Sequence, residues 1–162
     1  PILPFTCEEI WSHLHVDEKP FDSVHLAEFT KDIQNHRDDE LLNHWERLQE
    51  IRGQVSKNLE ESRQRKDIGN SLQAQVSLRC GTETLNYLTP FEEDLRFLFI
   101  VSDVKLLEDP KIDAQAVEVT VSQAEGDKCD RCWTYSLSMQ TVGETATVCK
   151  RCYAVLEDMG HV

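Results

Sequence analysis

Two pairs of cysteines near the end of the chain constrain its fold more than any other feature. Cys129 and Cys132 are separated by two residues, as are Cys149 and Cys152, and sixteen residues lie between the pairs. Two intervening residues allow a turn to direct both sulfurs at one ion, and zinc takes four such ligands tetrahedrally. We therefore predict one structural Zn²⁺ ion in a zinc ribbon, with a hairpin over 135–148 that turns at 143–144.

Other interpretations of these cysteines fit less well. A thioredoxin-like redox site would use a single CxxC pair at the start of a helix, and a secreted disulfide scaffold would be shorter and richer in cysteine. A site with four protein ligands leaves no position for water, so we expect the metal to be structural. Four basic residues flank the cysteines and offset the charge of a zinc tetrathiolate: Lys128, Arg131, Lys150 and Arg151.

The charge distribution restricts where a nucleic acid could bind. The formal net charge of −13 argues against a free-standing nucleic-acid binder, because phosphate binding depends on Lys and Arg. Most of the excess negative charge lies in residues 1–40 and 80–124, whereas residues 41–79 and 125–162 are nearly neutral. These last two segments are therefore the candidate surfaces for a polyanion.

Catalytic signatures are absent from the sequence. It contains no GxSxG, P-loop or glycine-rich dinucleotide motif, and its six histidines lack ligand spacing. No run of 18 apolar residues predicts a membrane span, and no secretory signal pattern is present. Because the chain opens at Pro1 without an initiator Met, we expect a fragment or a processed product.

The apolar pattern predicts a long helix over 39–65, followed along the chain by a small α+β layer. The helix carries one apolar face, formed by Leu41, Leu42, Trp45, Leu48, Ile51, Val55 and Leu59. Its basic residues, which lie either in solvent or against an RNA backbone, are Arg47, Arg52, Lys57, Arg63 and Lys66. We expect Gly69 to end this helix as a left-handed cap.

Shorter elements complete the predicted fold. A capping box at 6–9 starts a first helix, and a second at 89–92 starts a helix that reaches about residue 96. Strands are expected at 72–80, 99–106 and 117–121, with a connector at 15–37. The predicted α+β fold is thus a helical segment, the end of a helix bundle, at 1–70, a small β-α-β-β layer at 71–124 and a C-terminal zinc ribbon at 125–162.

One aromatic residue next to the metal turn has two interpretations. Trp133 either packs on the small core of the ribbon, or it is an exposed platform that stacks on an unpaired base. In the second case Arg131 would supply a positive charge beside it.

The order of these features resembles the C-terminal region of the isoleucyl-tRNA synthetases, which are class I aminoacyl-tRNA synthetases. The string Pro4-Phe5-Thr6-Cys7-Glu8-Glu9-Ile10-Trp11 is similar to the end of their anticodon-binding helical domain. Residues 45–78 resemble their long helix, basic turn and strand, and Phe99-Ile100-Val101-Ser102 resembles the next strand. Cys129-Asp130-Arg131-Cys132-Trp133 with Cys149-Lys150-Arg151-Cys152 resembles their zinc element.

The resemblance implies a bacterial-type enzyme, mitochondrial forms included, that attaches isoleucine to tRNA with ATP. It implies that this region binds the anticodon stem-loop, with Arg131 and Trp133 on bases. Further tRNA contacts are expected at Lys150, Arg151, Arg63 and Lys66. Family members often have His where this chain has Thr134, so a contact made by that His would be missing. The catalytic and editing parts of the enzyme are not in this chain, so we expect it to be inactive alone.

The expected partners are isoleucine tRNA and the rest of the synthetase, with the fragment itself monomeric. The acidic composition favours the mitochondrial matrix, or otherwise the cytoplasm. Two alternatives remain: a zinc-ribbon protein-interaction module that does not bind tRNA, and a DNA-repair element, since some DNA-repair glycosylases carry a similar zinc finger.

Overall fold

The computed structural model of the chain describes residues 2–14, 21–28, 37–143 and 145–161. They belong to two units, Pro1–Leu42 and Asn43–Val162. Most of the predicted connector at 15–37 lies outside the described residues. The predicted domain boundaries at 70 and 124 stay predictions.

The first unit contains a helix that begins earlier than its sequence predicts. Helix α1 spans Pro4–His13 with Leu3 at the N-cap, so Thr6 lies inside the helix and the capping box expected at 6–9 is wrong. Proline is favoured in the first helical turn because its fixed φ suits a helix and its missing N–H would have no partner there. The Glu8 carboxylate instead accepts hydrogen bonds from the Ser23 hydroxyl (2.9 Å) and the Val24 amide (3.1 Å). These bonds hold a 3₁₀ turn, Val24–Leu26.

Helix α2 spans Asp39–Gln64, close to the predicted range. Only the second part of its apolar face is buried, at Leu48, Ile51, Val55 and Leu59. The earlier apolar residues are exposed, namely Leu41, Leu42 and Trp45. The helix therefore has one apolar stripe, of which only the part that follows residue 47 is covered in the described structure.

Lys66, and not Gly69, is the left-handed residue that ends α2. Its φ is +64°, its amide donates to Arg63 (3.0 Å), and the Asp67 amide donates to Ser62 (3.0 Å). This pair of bonds is a Schellman motif, which places its second residue beyond the helix in the left-handed region. The prediction for Gly69 is wrong because a lysine takes the conformation that usually favours glycine.

A three-stranded sheet forms the centre of the second unit, with strand order β2-β1-β3. Strand β1 (Ala74–Cys80) pairs in parallel with β2 (Asp103–Glu108) and antiparallel with β3 (Val117–Gln123). Alternate residues of β1 are fully buried, as the period-two pattern predicts, and they are Ala74, Val76, Leu78 and Cys80. They share one core with the buried face of α2.

The segment between β1 and β2 is more helical than its sequence predicts. Helix α3 (Thr82–Leu88), a 3₁₀ turn (Thr89–Phe91) and helix α4 (Glu92–Phe99) follow each other directly. The expected cap residue Thr89 has helical angles and its hydroxyl donates to the Leu85 carbonyl (2.8 Å), so it is not an N-cap, and Phe91 occupies that position before α4.

The strand predicted over 99–106 begins only at Asp103. Phe99 belongs to the last turn of α4, and Ile100 ends that helix with a φ of +58°. The apolar run at 97–101 had the composition of a buried strand, yet a short apolar run does not distinguish a strand from a buried helix end.

The C-terminal region is a ribbon of short strands followed by a helix. Strand β4 (Asp127–Lys128) pairs with β5 (Tyr135–Ser136), and β6 (Met139–Val142) pairs with β7 (Ala146–Cys149). Gly143 has a φ of +61° in the predicted turn, whereas Glu144 lies outside the described residues. Helix α5 spans Lys150–Asp158. The predicted α+β class with a zinc ribbon is confirmed.

Gly126 allows the ribbon to close. Its φ is +90°, and a Cβ at this position would lie 2.2 Å from the Ser136 carbonyl oxygen.

No helix among the described parts of the chain combines the length and the apolar character that a membrane crossing needs.

Candidate metal centre and nucleic-acid interface

The first cysteine pair lies on a tight turn between β4 and β5. The Trp133 amide donates to the Cys129 carbonyl, and the Cys129 amide donates to the Thr134 carbonyl, both at 2.9 Å. Asp130 fastens the turn to β7, because its carboxylate accepts from the Thr147 amide (2.7 Å) and its own amide donates to the Thr147 carbonyl (3.0 Å). The turn is therefore held by backbone geometry and by its neighbour strand.

The second pair lies where a strand becomes a helix, and not on a second hairpin turn as we expected. Cys149 ends β7 and is the N-cap of α5, and Cys152 lies in the first turn of that helix. The Cys149 amide donates to the Cys129 sulfur (3.3 Å), which joins the two pairs directly. A helix start places residues three apart on the same side, so both sulfurs can still face one point.

The four sulfurs have the separation that a zinc site requires. Their Sγ atoms all lie within 4.8 Å of one another, and those of Cys132 and Cys149 are 3.8 Å apart. A tetrahedron with Zn–S bonds of about 2.3 Å has edges of about 3.8 Å. All four cysteines are free of disulfides and three are buried. These residues fit a structural zinc ion.

Cationic side chains surround the sulfurs and favour their charged form. The Arg131 Nη1 atom lies 3.6 Å from the Cys152 sulfur. Burial raises the pKa of Cys152 to about 12, against the effect of Arg131. At Cys132 burial also opposes ionisation, but hydrogen bonds from Thr134 outweigh it and lower the pKa to about 6. A metal ion must displace the proton of each thiol that it binds.

Trp133 is exposed and is held in an unusual backbone conformation. Its φ is +66° and 60% of its surface is accessible, so the interpretation that it packs on the ribbon core is wrong. The Lys128 ammonium lies 5.2 Å from the centre of its ring. The metal turn thus presents an aromatic ring together with a positive charge, and the contact of Trp133 with RNA stays a prediction.

The other predicted tRNA contacts lie in two places. Lys150 and Arg151 begin α5 beside the metal centre, and both are exposed. Arg63 and Lys66 lie at the end of α2, where Arg63 pairs with Glu60 at 2.5 Å. The two groups belong to different helices of the second unit, α2 and α5.

Two basic residues of α2 make contacts with other helices of the same unit. Arg47 donates to the Thr84 hydroxyl (3.2 Å) and lies 4.2 Å from the centre of the Tyr87 ring. Arg52 donates to the Leu98 carbonyl (3.1 Å). These two arginines hold α2 against α3 and α4, so the interpretation of a wholly solvated basic face does not hold for them.

A groove that the sequence pattern did not predict lies between the sheet layer and the ribbon. Its volume is about 800 Å³, and residues of α4, β2, β5 and α5 line it. Arg96 and Phe97 of α4 and Arg151 of α5 are among the lining residues. These residues are more than fifty positions apart in sequence, so no local motif could have grouped them.

Two family models match this chain. One described as an anticodon-binding domain of tRNA ligase matches residues 1–78, and one described as a zinc finger found in FPG and IleRS matches residues 126–155. The second match includes all four cysteines of the metal centre.

Curated relatives match almost the whole chain. Isoleucine–tRNA ligase from Caldanaerobacter subterraneus is 39% identical over 98% of this chain, that from Thermotoga petrophila 40% over 97%, and that from Staphylococcus aureus 38% over 98%. The chain spans 18%, 17% and 17% of the length of these relatives. The chain therefore belongs to the isoleucine–tRNA ligase family, as the region in which the anticodon-binding domain is followed by a zinc finger.

Proposed function

We propose that this chain is the tRNA-binding region of an isoleucine–tRNA ligase and that it contacts the anticodon stem-loop of isoleucine tRNA. The observation that carries the proposal is the combination in one chain of the anticodon-binding match and a metal turn that exposes Trp133. The rest of the ligase would perform the ATP-dependent attachment of isoleucine. The chain itself acts as a monomer and supplies binding only.

The ribbon supports recognition because it is rigid before RNA arrives. A bound zinc ion holds the β4–β5 turn and the start of α5 together and supplies no chemical step. Trp133 then loses little freedom on binding, and a base stacked on an aromatic ring contributes about 1–3 kcal/mol. Arg131, whose guanidinium lies 3.6 Å from the Cys152 sulfur, adds positive charge to the same turn.

The end of α2 offers a second contact, to the RNA backbone. Lys66 is exposed, and Arg63 shares an exposed ion pair with Glu60. Such a pair is worth about 1 kcal/mol or less, so a phosphate can replace Glu60 at little cost. Both residues would act through charge and would not discriminate between bases.

Two large apolar side chains of the first unit are candidate contacts for the rest of the ligase. Ile2 is 89% exposed and Phe5 is 90% exposed. Exposed apolar side chains of this size in one short segment are typical of an interface. We propose that they pack against parts of the ligase that this chain does not include.

The compartment is a separate proposal. The proposal of the mitochondrial matrix rests on the acidic composition and the divergent sequence of residues 15–37, whereas the relatives named above are bacterial. Fractionation of cells that express the full-length protein, followed by immunoblotting, would test it, and recovery outside mitochondria would contradict it.

The central experiment measures tRNA binding by fluorescence anisotropy with the zinc-loaded chain. Trp133→Ala should weaken binding of isoleucine tRNA by about 5- to 150-fold, since base stacking is worth about 1–3 kcal/mol. The change keeps a side chain at the left-handed position, so backbone strain stays comparable. Trp133→Phe should recover part of the affinity.

Met159→Ala is the matched control, because Met159 is an exposed apolar residue (58%) just beyond α5. An affinity for Trp133→Ala equal to that of the control would contradict the stacking role. Bound zinc is measured in each variant, so that loss of the ribbon is separated from loss of the ring.

The alternative of a protein-interaction module makes a different prediction. Binding to RNA weakens steeply as salt rises because phosphate contacts release counterions. We expect a clear salt slope, tighter filter binding of isoleucine tRNA than of a non-cognate tRNA, and loss of binding with chelator. The absence of any tRNA binding at low salt would favour the interaction module.

A further inference from the structure

We propose that the groove between α4 and the ribbon binds phosphates of the tRNA backbone, with Arg96 and Arg151 as the phosphate ligands and Phe97 as the residue that positions them. This inference rests on the proposed function and extends it to residues outside the metal turn. It concerns one occupant, a strand of the bound RNA.

The first support is that two arginine side chains lie near one aromatic ring. The Arg96 Cζ atom lies 4.7 Å from the centre of the Phe97 ring, and the Arg151 Cζ atom lies 5.3 Å from it. Arg96 belongs to the last turn of α4 and Arg151 to the first turn of α5. Cation–π attraction places each guanidinium near the ring without using its N–H donors on a carboxylate.

The second support is that neither guanidinium has an acidic partner among the described residues. Within residues 2–14, 21–28, 37–143 and 145–161, no carboxylate forms an ion pair with Arg96 or Arg151. By contrast, Arg37, Arg63, Arg65 and Arg79 each pair with an acid. A guanidinium without a carboxylate partner can bind a phosphate through two parallel hydrogen bonds, and Arg151 also hydrogen-bonds to Cys132.

The third support is the local charge. Four basic residues line the groove, Arg96, Lys105, Lys150 and Arg151, against two acidic ones, Asp103 and Glu125. The excess is positive although the chain carries −13. The first residues of α5 also line this region, and the partial positive charge at a helix N-terminus further favours an anion. The groove is thus complementary to a polyanion where the chain as a whole is not.

A hydrogen-bonded side chain links the two sides of the groove. The Ser102 hydroxyl lies on its floor, donates to the Leu72 carbonyl (2.5 Å) and accepts from the Tyr135 amide (2.7 Å). The sheet layer and the ribbon are therefore joined by a buried side chain. A volume of about 800 Å³ is within the usual range of about 300–1,000 Å³ for built binding sites.

The test compares the salt dependence of tRNA binding in charge-matched variants of the whole chain. Arg96→Gln removes a charge from the groove but no contact with a zinc ligand, and Lys111→Gln removes the same charge from an exposed turn after β2. Each lost phosphate contact reduces the slope of log K against log salt by about 0.7–0.9. Arg96→Gln should show this reduction and Lys111→Gln should not.

Phe97→Leu tests the positioning role, because it keeps every charge and removes only the ring. It should weaken binding by about two- to five-fold while the salt slope stays near that of the unchanged chain. Arg96→Lys should restore the slope but only part of the affinity, since an ammonium lacks the planar fork. Zinc content and circular dichroism must match the unchanged chain in all variants.

The outcomes separate this inference from the function on which it rests. If the unchanged chain binds tRNA with a salt slope and Arg96→Gln keeps that slope, the groove is not a phosphate site although the proposed function stands. If the unchanged chain binds no tRNA at all, the proposed function fails and this inference fails with it.

Discussion

Ser102 is the residue at which one small change should show how the ribbon depends on the sheet. It lies between α4 and β2, is only 5% exposed, and bonds to Leu72 on one side and Tyr135 on the other. Ser102→Ala removes one hydroxyl and leaves the Tyr135 amide and the Leu72 carbonyl without this partner. The substitution adds no volume, so it does not disturb packing by itself.

The expected loss follows from these two bonds. Leaving a buried polar group without a partner costs about 1–3 kcal/mol. Both partner residues are half-buried, so water can reach them in part, and we expect the lower end for each, a total of about 2 kcal/mol. For a unit of this size that corresponds to roughly 8 °C in Tm.

Amide hydrogen exchange at Tyr135 is the assay that locates the effect. A loss of about 2 kcal/mol should accelerate exchange of this amide by roughly 30-fold if its opening is local. Urea denaturation of the zinc-loaded chain gives the total change in the free energy of unfolding. Ser122→Ala, the same substitution at an exposed position of β3, is the control. The reasoning is refuted if Ser102→Ala and Ser122→Ala differ by less than about 0.5 kcal/mol.

Two further predictions concern the metal centre and the end of α2. Cys149→Ser should reduce bound zinc well below one ion per chain, measured by atomic absorption, and should make residues 125–156 more sensitive to proteolysis. Cys7→Ser is the control. Full zinc occupancy in Cys149→Ser would contradict the four-cysteine site. Lys66→Gly should raise the free energy of unfolding by about 1 kcal/mol, because φ there is +64° and glycine takes that conformation without steric cost. Urea denaturation measures this, and a loss of stability would show that the lysine side chain matters more than the backbone.

Most of the metal centre could be predicted from cysteine spacing alone. Four thiols in two CxxC pairs satisfy the ligand number and type that zinc requires, whatever the surrounding fold. The spacing did not reveal that the second pair lies at the start of α5, because a turn and a helix start both bring residues three apart to one side. Exposure of Trp133 was also open, since the sequence does not show how large the ribbon core is.

Helix ends were predicted least well, and for a common physical reason. Thr6, Gly69 and Thr89 are residue types that favour caps, yet Leu3, Lys66 and Phe91 occupy the positions next to the helix ends. Capping preferences are worth about 1 kcal/mol, which tertiary packing readily exceeds. The apolar run at 97–101 became the end of α4 because Phe99 and Val101 reach the core in that arrangement.

By itself, the sequence determined part of the secondary structure and the four ligands for a structural zinc ion. The period of the apolar residues marked α2, β1 and β3, and the cysteines marked the ribbon, because these signals come from neighbours along the chain. Only the tertiary structure decided that Arg96, Phe97 and Arg151 line one groove and that Ser102 joins the sheet to the ribbon. The contacts of Arg151 with Phe97 and of Ser102 with Leu72 and Tyr135 connect residues at least 30 positions apart. Their energies depend on burial and distance, which no local pattern contains.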